Sequence, residues 1–212
     1  PGQDAAAATF RKGPPMWEER FNTPDYVFGK APAAFLLAHD HLVAPGDTAL
    51  CVADGEGRNS VHLAARGVRV TALEYAPSAI AKAQALAREA GVEVDFRQVD
   101  VLAHDWPEDY DAVLGIFIQF VGPDARKALF EGMKRSTRPG GLVLLHGYTP
   151  EQIAYGTGGP PHAENMYTPD QLARDFAGWD ILENRAYERE IEEGRGHSGR
   201  SALIDFVARK PD

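Results

Sequence analysis

Cysteine, long apolar runs and basic residues are scarce in this chain. The single cysteine, Cys51, has no partner for an internal disulfide, and nothing else indicates an oxidising compartment. No uninterrupted apolar stretch reaches the roughly 18 residues that cross a bilayer as a helix. Lysine and arginine number 22 against 31 acidic residues, and the net charge of −9 would repel a phosphate backbone. We expect a cytoplasmic protein that binds neither membranes nor nucleic acids.

The chain also lacks the signatures of hydrolytic and metal-dependent chemistry. No paired carboxylates and no nucleophile with an adjacent base stand out, and no residue spacing matches a metal motif. His39 and His41 lie two positions apart on a predicted helix, so they face different directions, and we interpret both as solvated. We therefore expect no metal site.

The chain length of 212 residues suits one domain with a sizeable core. Residues 1–15 show neither helical nor strand periodicity and are rich in alanine, glycine and proline. They contain too few apolar residues for the core of a signal peptide. We expect a disordered or non-native extension over residues 1–15, followed by one domain over residues 16–212.

Predicted strands and helices alternate along the domain, which indicates an α/β fold with a doubly wound parallel sheet. Two continuous apolar runs, 112–118 and 142–145, are typical of central strands that are covered on both faces. Thr168 and Gln171 have the spacing of a capping box. Further strands are predicted at 48–53, 68–74, 92–96, 180–189 and 201–209, and helices at 32–43, near 58–66, from Pro77 to Gly91, from Pro123 and after Thr168.

A glycine-containing loop between the first strand and its helix is the most informative feature. Gly55 and Gly57 lack side chains, so the backbone there can approach a ligand at the helix N-terminus. Glu74 ends the next strand, where a carboxylate can accept hydrogen bonds from both hydroxyls of a ribose. The pattern fits any cofactor that contains a nucleoside. A structural alternative is a loop that merely turns tightly.

A second motif, Arg138-Pro139-Gly140-Gly141 before a buried strand, narrows the choice. A nicotinamide dehydrogenase would carry a third glycine three residues after Gly57, but position 60 is serine. The glycine loop, Glu74 and the RPGG turn together resemble the class I S-adenosylmethionine-dependent methyltransferases. The segments MWEERF, DGEGRNS and GHSG resemble one bacterial subgroup, related to the tellurite-resistance methyltransferases and more distantly to the thiopurine methyltransferases.

The resemblance implies a single-domain Rossmann-like fold with a mostly parallel seven-stranded sheet and an antiparallel last strand. Two positions depart from the family pattern: Cys51 replaces an acidic residue, and Ala53 replaces the first glycine. Alanine is small enough for a close turn at this position if its φ stays negative. Asp54 is the candidate to neutralise the ammonium group of the cofactor; the alternative is an exposed loop residue that contributes only backbone atoms.

The resemblance also implies the residues of the cofactor site. The glycine loop would bind the methionine portion, Glu74 the ribose, Tyr75 and Asp100 the adenine, and Phe117 would lie near the sulfonium. Core packing is an equal alternative for Phe117, and a simple turn is an alternative for Asp100. The full predicted set is Phe28, Asp54, Gly55, Gly57, Arg58, Asn59, Glu74, Tyr75, Asp100, Val101, Ile116 and Phe117.

Three segments outside the predicted sheet are candidates for recognising the methyl acceptor. The aromatic cluster of residues 17–28 would cover the cofactor cleft or form a packed N-terminal helix. The segment 152–168 would be a mobile cover or an ordinary connection. Arg195, His197 and Arg200 in the last hairpin would project together onto an anionic acceptor, or would form a solvated tip that offsets nearby glutamates.

The sequence thus predicts methyl transfer from S-adenosylmethionine to a small, polarisable nucleophile such as a chalcogen oxyanion or a thiol. A displacement at an activated methyl group needs alignment more than acid–base catalysis, which agrees with the missing catalytic pairs. A protein that binds the cofactor without transferring the methyl group is one alternative. A methyltransferase of macromolecules is another, which the acidic charge disfavours. The sequence carries no information on the oligomeric state.

Overall fold

The computed structural model describes residues 13–106 and 109–212. These residues form a single α/β layer structure in which helices cover a central sheet. The helices are α1 (Gly13–Phe21), α2 (Ala34–His39), α3 (Arg58–Ala65), α4 (Pro77–Ala90), α5 (Pro123–Ser136) and α6 (Pro169–Asp175). The strands are β1 (Thr48–Val52), β2 (Arg69–Glu74), β3 (Asp95–Gln98), β4 (Tyr110–Ile116), β5 (Thr137–Tyr148), β6 (Asp180–Glu192) and β7 (Ser198–Arg209).

The sheet has seven strands in the order β3-β2-β1-β4-β5-β7-β6. β1 to β5 pair with one another in parallel, whereas β7 is antiparallel to both β5 and β6. This confirms the predicted fold class, including the antiparallel last strand. The chain order reverses between β1 and β4, and a crevice for a ligand forms at such a point, outside the carboxyl ends of the strands.

Two apolar clusters cover the opposite faces of the central strands. One packs Leu50, Val113 and Val143 against α5 through Leu129 and Met133. The other packs Ala49, Cys51 and Leu144 against α2 and α3. Residues that alternate along β1, β4 and β5 supply both clusters, and this explains why these strands appear as continuous apolar runs in the sequence.

The helix boundaries follow local signals in the sequence. Pro77 begins α4, and Gly91 ends it with a φ of 68° in the left-handed region. Thr168 accepts a hydrogen bond from the Gln171 amide in a complete capping box at the start of α6, as predicted. Among the residues that the structure describes, no helix combines the length and apolar character needed to cross a membrane.

The structure differs from three of the predicted boundaries. The apolar alternation at 92–96 is present, but the third strand pairs with β2 only from Asp95 onward; Val92 and Val94 instead pack beneath α3 and α4. The helix predicted at 32–43 is α2 followed by a 3-10 turn, Asp40–Leu42. Of the predicted extension 1–15, residues 1–12 lie outside the described residues, and α1 begins at Gly13.

Candidate functional site

The loop after β1 has a strained backbone that brings main-chain groups to the carboxyl edge of the sheet. Ala53, Gly55 and Gly57 all have φ between 48° and 86°. The condition of a negative φ at Ala53 is not met, because the chain turns out of β1 through the left-handed region at this residue. A Cβ atom at Gly57 would lie 2.7 Å from the Cβ of Ala83, so only glycine lets α3 pack this closely on α4.

Glu74 closes this loop from the neighbouring strand. Its carboxylate accepts hydrogen bonds from the Gly55 amide at 2.9 Å and from the Ala76 amide at 2.8 Å. The side chain is buried, and burial raises its pKa, while the hydrogen bonds from Ala76 and Gly55 oppose this rise. Each oxygen keeps a second lone pair for a ligand hydroxyl.

Asp54 provides a buried oxygen that lacks a partner. Its Oδ2 accepts a hydrogen bond from the Ser60 hydroxyl at 2.6 Å, whereas its Oδ1 is buried and has no hydrogen-bond partner among the described residues. Burial raises the pKa of Asp54 to about 7, against the opposing bond from Ser60. The alternative of an exposed loop carboxylate is therefore wrong. A buried oxygen in this condition is suited to a cationic ligand group.

The other predicted cofactor residues lie along the same carboxyl edge. Asp100 follows β3, and its Oδ1 accepts from the Leu102 amide at 3.0 Å, which leaves Val101 buried beneath the turn. Tyr75 is exposed directly after β2. Ile116 and Asp54 line one cavity of about 20 Å³ between β1 and β4. A larger cavity of about 470 Å³ opens at the opposite, amino-terminal edge, away from all of these residues.

Arg58 and Asn59 connect the glycine loop to distant segments. Asn59 Oδ1 accepts from the Ala33 amide at 2.9 Å, and Arg58 forms a buried ion pair with Glu193 at 2.9 Å. Glu193 also accepts from the Ala34 amide. Asn59 thus joins α3 to the segment before α2, and Arg58 joins α3 to the last hairpin.

The N-terminal segment packs directly on the glycine loop. Glu18 in α1 accepts a hydrogen bond from the Ser78 amide at 3.0 Å, and Phe21 lies beside Gly55. Glu56, which the sequence analysis missed, is buried, accepts from the Val27 amide at 2.8 Å and pairs with Lys82. The signal was available in the sequence, because an acidic residue between two loop glycines is placed to bind backbone amides.

A second group of side chains lies where β4 and β5 end. The ring of His197 stacks between Phe28 at 4.5 Å and Phe117 at 3.9 Å, measured between ring centroids. Its Nδ1 lies 2.6 Å from the hydroxyl of Tyr148, a residue that the sequence analysis also missed. Burial lowers the pKa of His197 well below its ordinary value, and Arg58 and Arg20 add to this; burial also raises the pKa of Tyr148. Both side chains are therefore neutral near pH 7.

Arg195 and Arg200 do not join His197, contrary to the expectation that the three project together. Arg195 pairs with Asp25 at 3.1 Å, and Arg200 pairs with Glu188 at 3.1 Å, both on the exposed surface. Side chains alternate across a strand, so residues 197 and 200 face opposite sides of the hairpin. The two arginines that lower the pKa of His197 come from other elements. Arg20 of α1 lies 5.3 Å from the ring centroid of Phe28, and Arg58 of α3 is buried.

Comparison with known proteins agrees with this geometry. Residues 49–141 match the family described as methyltransferase domain. The ubiquinone biosynthesis O-methyltransferase of Pseudomonas putida is 32% identical over 102 residues, which is 47% of this chain and 44% of that protein. The chain spans between 44% and 56% of the length of the curated relatives it matches.

Two solved structures share the fold over most of the chain. The first concerns the conversion of a disulfide bond into a thioacetal group during echinomycin biosynthesis. Its TM-score is 0.76 at 20% identity, and the match covers 96% of this chain and 91% of that one. TehB from Haemophilus influenzae has a TM-score of 0.68 at 19% identity, covering 94% and 67%. Residues 49–141 thus match a methyltransferase domain, and the chain has the Rossmann-like methyltransferase fold that its sequence resemblance predicted.

Proposed function

We propose that the chain binds S-adenosylmethionine at the carboxyl edge of β1, β2 and β4 and transfers the methyl group to a small molecule. The observation that carries the proposal is the Asp54 Oδ1, a buried oxygen with no partner among the described residues. The ammonium group of the cofactor would supply the missing donor. When bound, the cofactor supplies a methyl group already activated on a sulfonium, so the protein needs to orient the acceptor and exclude water.

The remaining cofactor contacts follow from the positions of the residues along this edge. The loop amides at Gly55 and Gly57 are the proposed contacts for the cofactor carboxylate. Glu74 is the proposed acceptor for the two ribose hydroxyls, and its Gly55 hydrogen bond would hold its carboxylate in place. Asp100 and Val101 are proposed for the adenine edge, with Tyr75 across its face. Ile116 and Phe117 are proposed to line the cofactor site near the sulfonium.

The proposed acceptor site is the cluster of Phe28, Phe117, Tyr148 and His197. Among the described residues, His197 Nδ1 is the acceptor within reach of the Tyr148 hydroxyl, and Tyr148 keeps its proton because its pKa is raised. The hydroxyl therefore donates to Nδ1, and the ring proton is on Nε2. A neutral imidazole that donates from Nε2 favours an acceptor that arrives as an anion, such as a thiolate or a chalcogen oxyanion.

The similar proteins suggest two classes of methyl acceptor. The solved structure related to thioacetal formation concerns sulfur chemistry, which supports the sulfur nucleophile proposed here. The Pseudomonas relative is an O-methyltransferase, which makes hydroxyl acceptors the second class. The Cys51 and Ala53 departures keep a non-catalytic binding protein as the alternative.

A screen with cofactor labelled in the methyl group tests the proposal. The purified chain is incubated with thiols, selenite, tellurite, halides and phenols, and the label in small-molecule products is counted. We expect transfer to anionic chalcogen nucleophiles in preference to phenols. Binding of the cofactor without transfer to any acceptor class would support the non-catalytic alternative, and preferred transfer to phenols would contradict the proposed acceptor.

A further inference from the structure

A cluster of metal-ligating side chains lies outside the proposed cofactor and acceptor sites. His39 at the end of α2, Glu183 in β6 and Asp205 in β7 each offer one ligand atom, and these atoms all lie within 4.8 Å of one another. His39 and Asp205 are buried, and the Glu183 side chain is 29% exposed, which leaves a route from solvent. We propose that these three residues bind a divalent metal ion such as Zn²⁺ or Mn²⁺.

The hydrogen bonds of His39 show which ring nitrogen is directed at Glu183. Its Nδ1 lies 2.7 Å from the carbonyl oxygen of Phe35, and a carbonyl only accepts, so Nδ1 carries the proton. Its Nε2 lies 2.6 Å from Oε2 of Glu183. A neutral imidazole would thus direct a lone pair at a carboxylate, so a second proton joins the two atoms at this separation. A metal ion bound by both atoms would replace that proton and move the two side chains apart. A metal-binding histidine commonly donates its other ring N–H to a carbonyl in this way.

Surrounding groups hold the Asp205 carboxylate in position. Its Oδ1 accepts from the Tyr187 hydroxyl at 2.8 Å and lies 2.8 Å from Nδ1 of His146, and its Oδ2 lies 3.4 Å from Arg185. Arg185 also lies 3.5 Å from Glu183. Metal-binding carboxylates are commonly held in place by hydrogen bonds of this kind. The residues that form these bonds affect the affinity for the metal strongly.

The ligand types indicate the class of ion. One imidazole nitrogen with two carboxylate oxygens suits Zn²⁺, Mn²⁺ or Fe²⁺, whereas Mg²⁺ and Ca²⁺ prefer oxygen ligands alone. Bound there, the ion would tie α2 to the two closing strands. The earlier interpretation of His39 as solvated was wrong, since the residue is buried. Its partner Glu183 is 144 positions away, a separation that no motif spacing covers.

Stacked rings connect the three metal-ligating residues to the proposed acceptor site. The ring of Phe35 packs between His39 at 4.2 Å and His146 at 4.9 Å, measured between ring centroids. His146 in turn makes a T-shaped contact at 4.8 Å with Phe117 of the proposed acceptor site. The metal proposal does not depend on methyl transfer, because it rests on the three side chains alone.

Titration of the chelator-treated full chain with Zn²⁺ alone, with Mg²⁺ as comparator, tests the proposal by calorimetry and thermal denaturation. We expect one Zn²⁺ per chain, a raised Tm, and affinity at least about 10-fold weaker in Glu183→Gln and His39→Gln. His41→Gln, at an exposed histidine two residues away, is the matched control and keeps full affinity. Absence of Zn²⁺ binding would show that only a proton joins His39 to Glu183. Equal affinity in Glu183→Gln and the unaltered chain would place any bound ion elsewhere; Glu183 is partly exposed, so this variant serves even if His39→Gln fails to fold.

Discussion

At the scale of single residues, Asp54 links the proposed cofactor site to pH. Its pKa of about 7 in the unliganded chain means that the carboxyl is largely neutral below pH 7. A ligand ammonium binds the ionised form, so affinity for S-adenosylhomocysteine should rise with pH through 7 and then level off. We expect a gain of up to about 10-fold between pH 6 and pH 7.5, a range in which the ligand's own α-amino group stays mostly protonated. Calorimetric titration at several pH values measures it.

Asp54→Asn provides the control for this pH profile. The variant should bind the ligand more weakly at pH 7.5 and show a flat profile from pH 6 to 7.5. It should also stabilise the unliganded chain at pH 7.5, because an acid whose folded pKa is raised loses stability as pH rises from about 4 to 7. A shift of this size corresponds to at most about 4 kcal/mol, and an unchanged Tm at pH 7.5 would contradict the buried carboxylate.

His197 carries the second prediction at the residue scale. Loss of the Nε2–H donor in His197→Ala should lower kcat/KM for the true acceptor by about 10- to 100-fold, as expected for one hydrogen bond to a charged group. Cofactor affinity should hardly change. Arg200→Ala is the matched variant from the same hairpin, since Arg200 pairs with Glu188 on the surface. Equal losses of kcat/KM in both variants would show that Arg200 also acts on the acceptor.

At the scale of elements, the segment 152–168 is proposed to close over the acceptor site. Gln152 donates to Thr157 at 2.9 Å and to the Gly158 carbonyl at 3.1 Å, and Gly158 forms a β-bridge with His197. Ligands that contact His197 should therefore slow hydrogen exchange in this segment.

Hydrogen exchange with cofactor product and acceptor both present should show slower exchange across 152–168 than in the free chain. The neighbouring helix α6, with its own capping box, serves as the internal reference and should change little. Unchanged exchange through 152–168 would identify a static connection.

Local sequence signals were sufficient for most elements but not for the contacts between distant ones. Pro77, Gly91 and the Thr168 capping box fixed helix ends because they act on the nearest backbone groups. The start of β3 at Asp95 depends on pairing with β2, which apolar alternation does not reveal.

The same limit applies to the candidate site. The loop glycines and Glu74 could be named because their roles follow from one βαβ unit. The buried pairing of His197 with Tyr148, and of His39 with Glu183, joins residues that only the complete sheet brings together. The arginines near His197 were misassigned for this reason: those adjacent in sequence point outward, and Arg20 arrives from α1.

At the scale of the whole molecule, the strand order places the two proposed sites next to each other. The reversal between β1 and β4 opens the edge where Asp54 and Glu74 lie. The end of β5 adds Tyr148, and the turn before β7 adds His197. The net charge of −9 would repel a nucleic acid, which agrees with the proposal of a small-molecule acceptor. Binding of the cofactor at this edge is therefore the central claim.

Calorimetric titration of the intact chain with S-adenosylhomocysteine, and in parallel with NAD⁺, tests this claim most directly. We predict one S-adenosylhomocysteine per chain and no measurable NAD⁺ binding. Glu74→Ala should weaken binding by about 10- to 100-fold, the effect of losing charge-assisted hydrogen bonds worth roughly 1.5–3 kcal/mol, whereas Glu93→Ala, at an exposed glutamate, should not. No detectable binding of S-adenosylhomocysteine by the intact chain, or equal affinity in Glu74→Ala, would contradict the account.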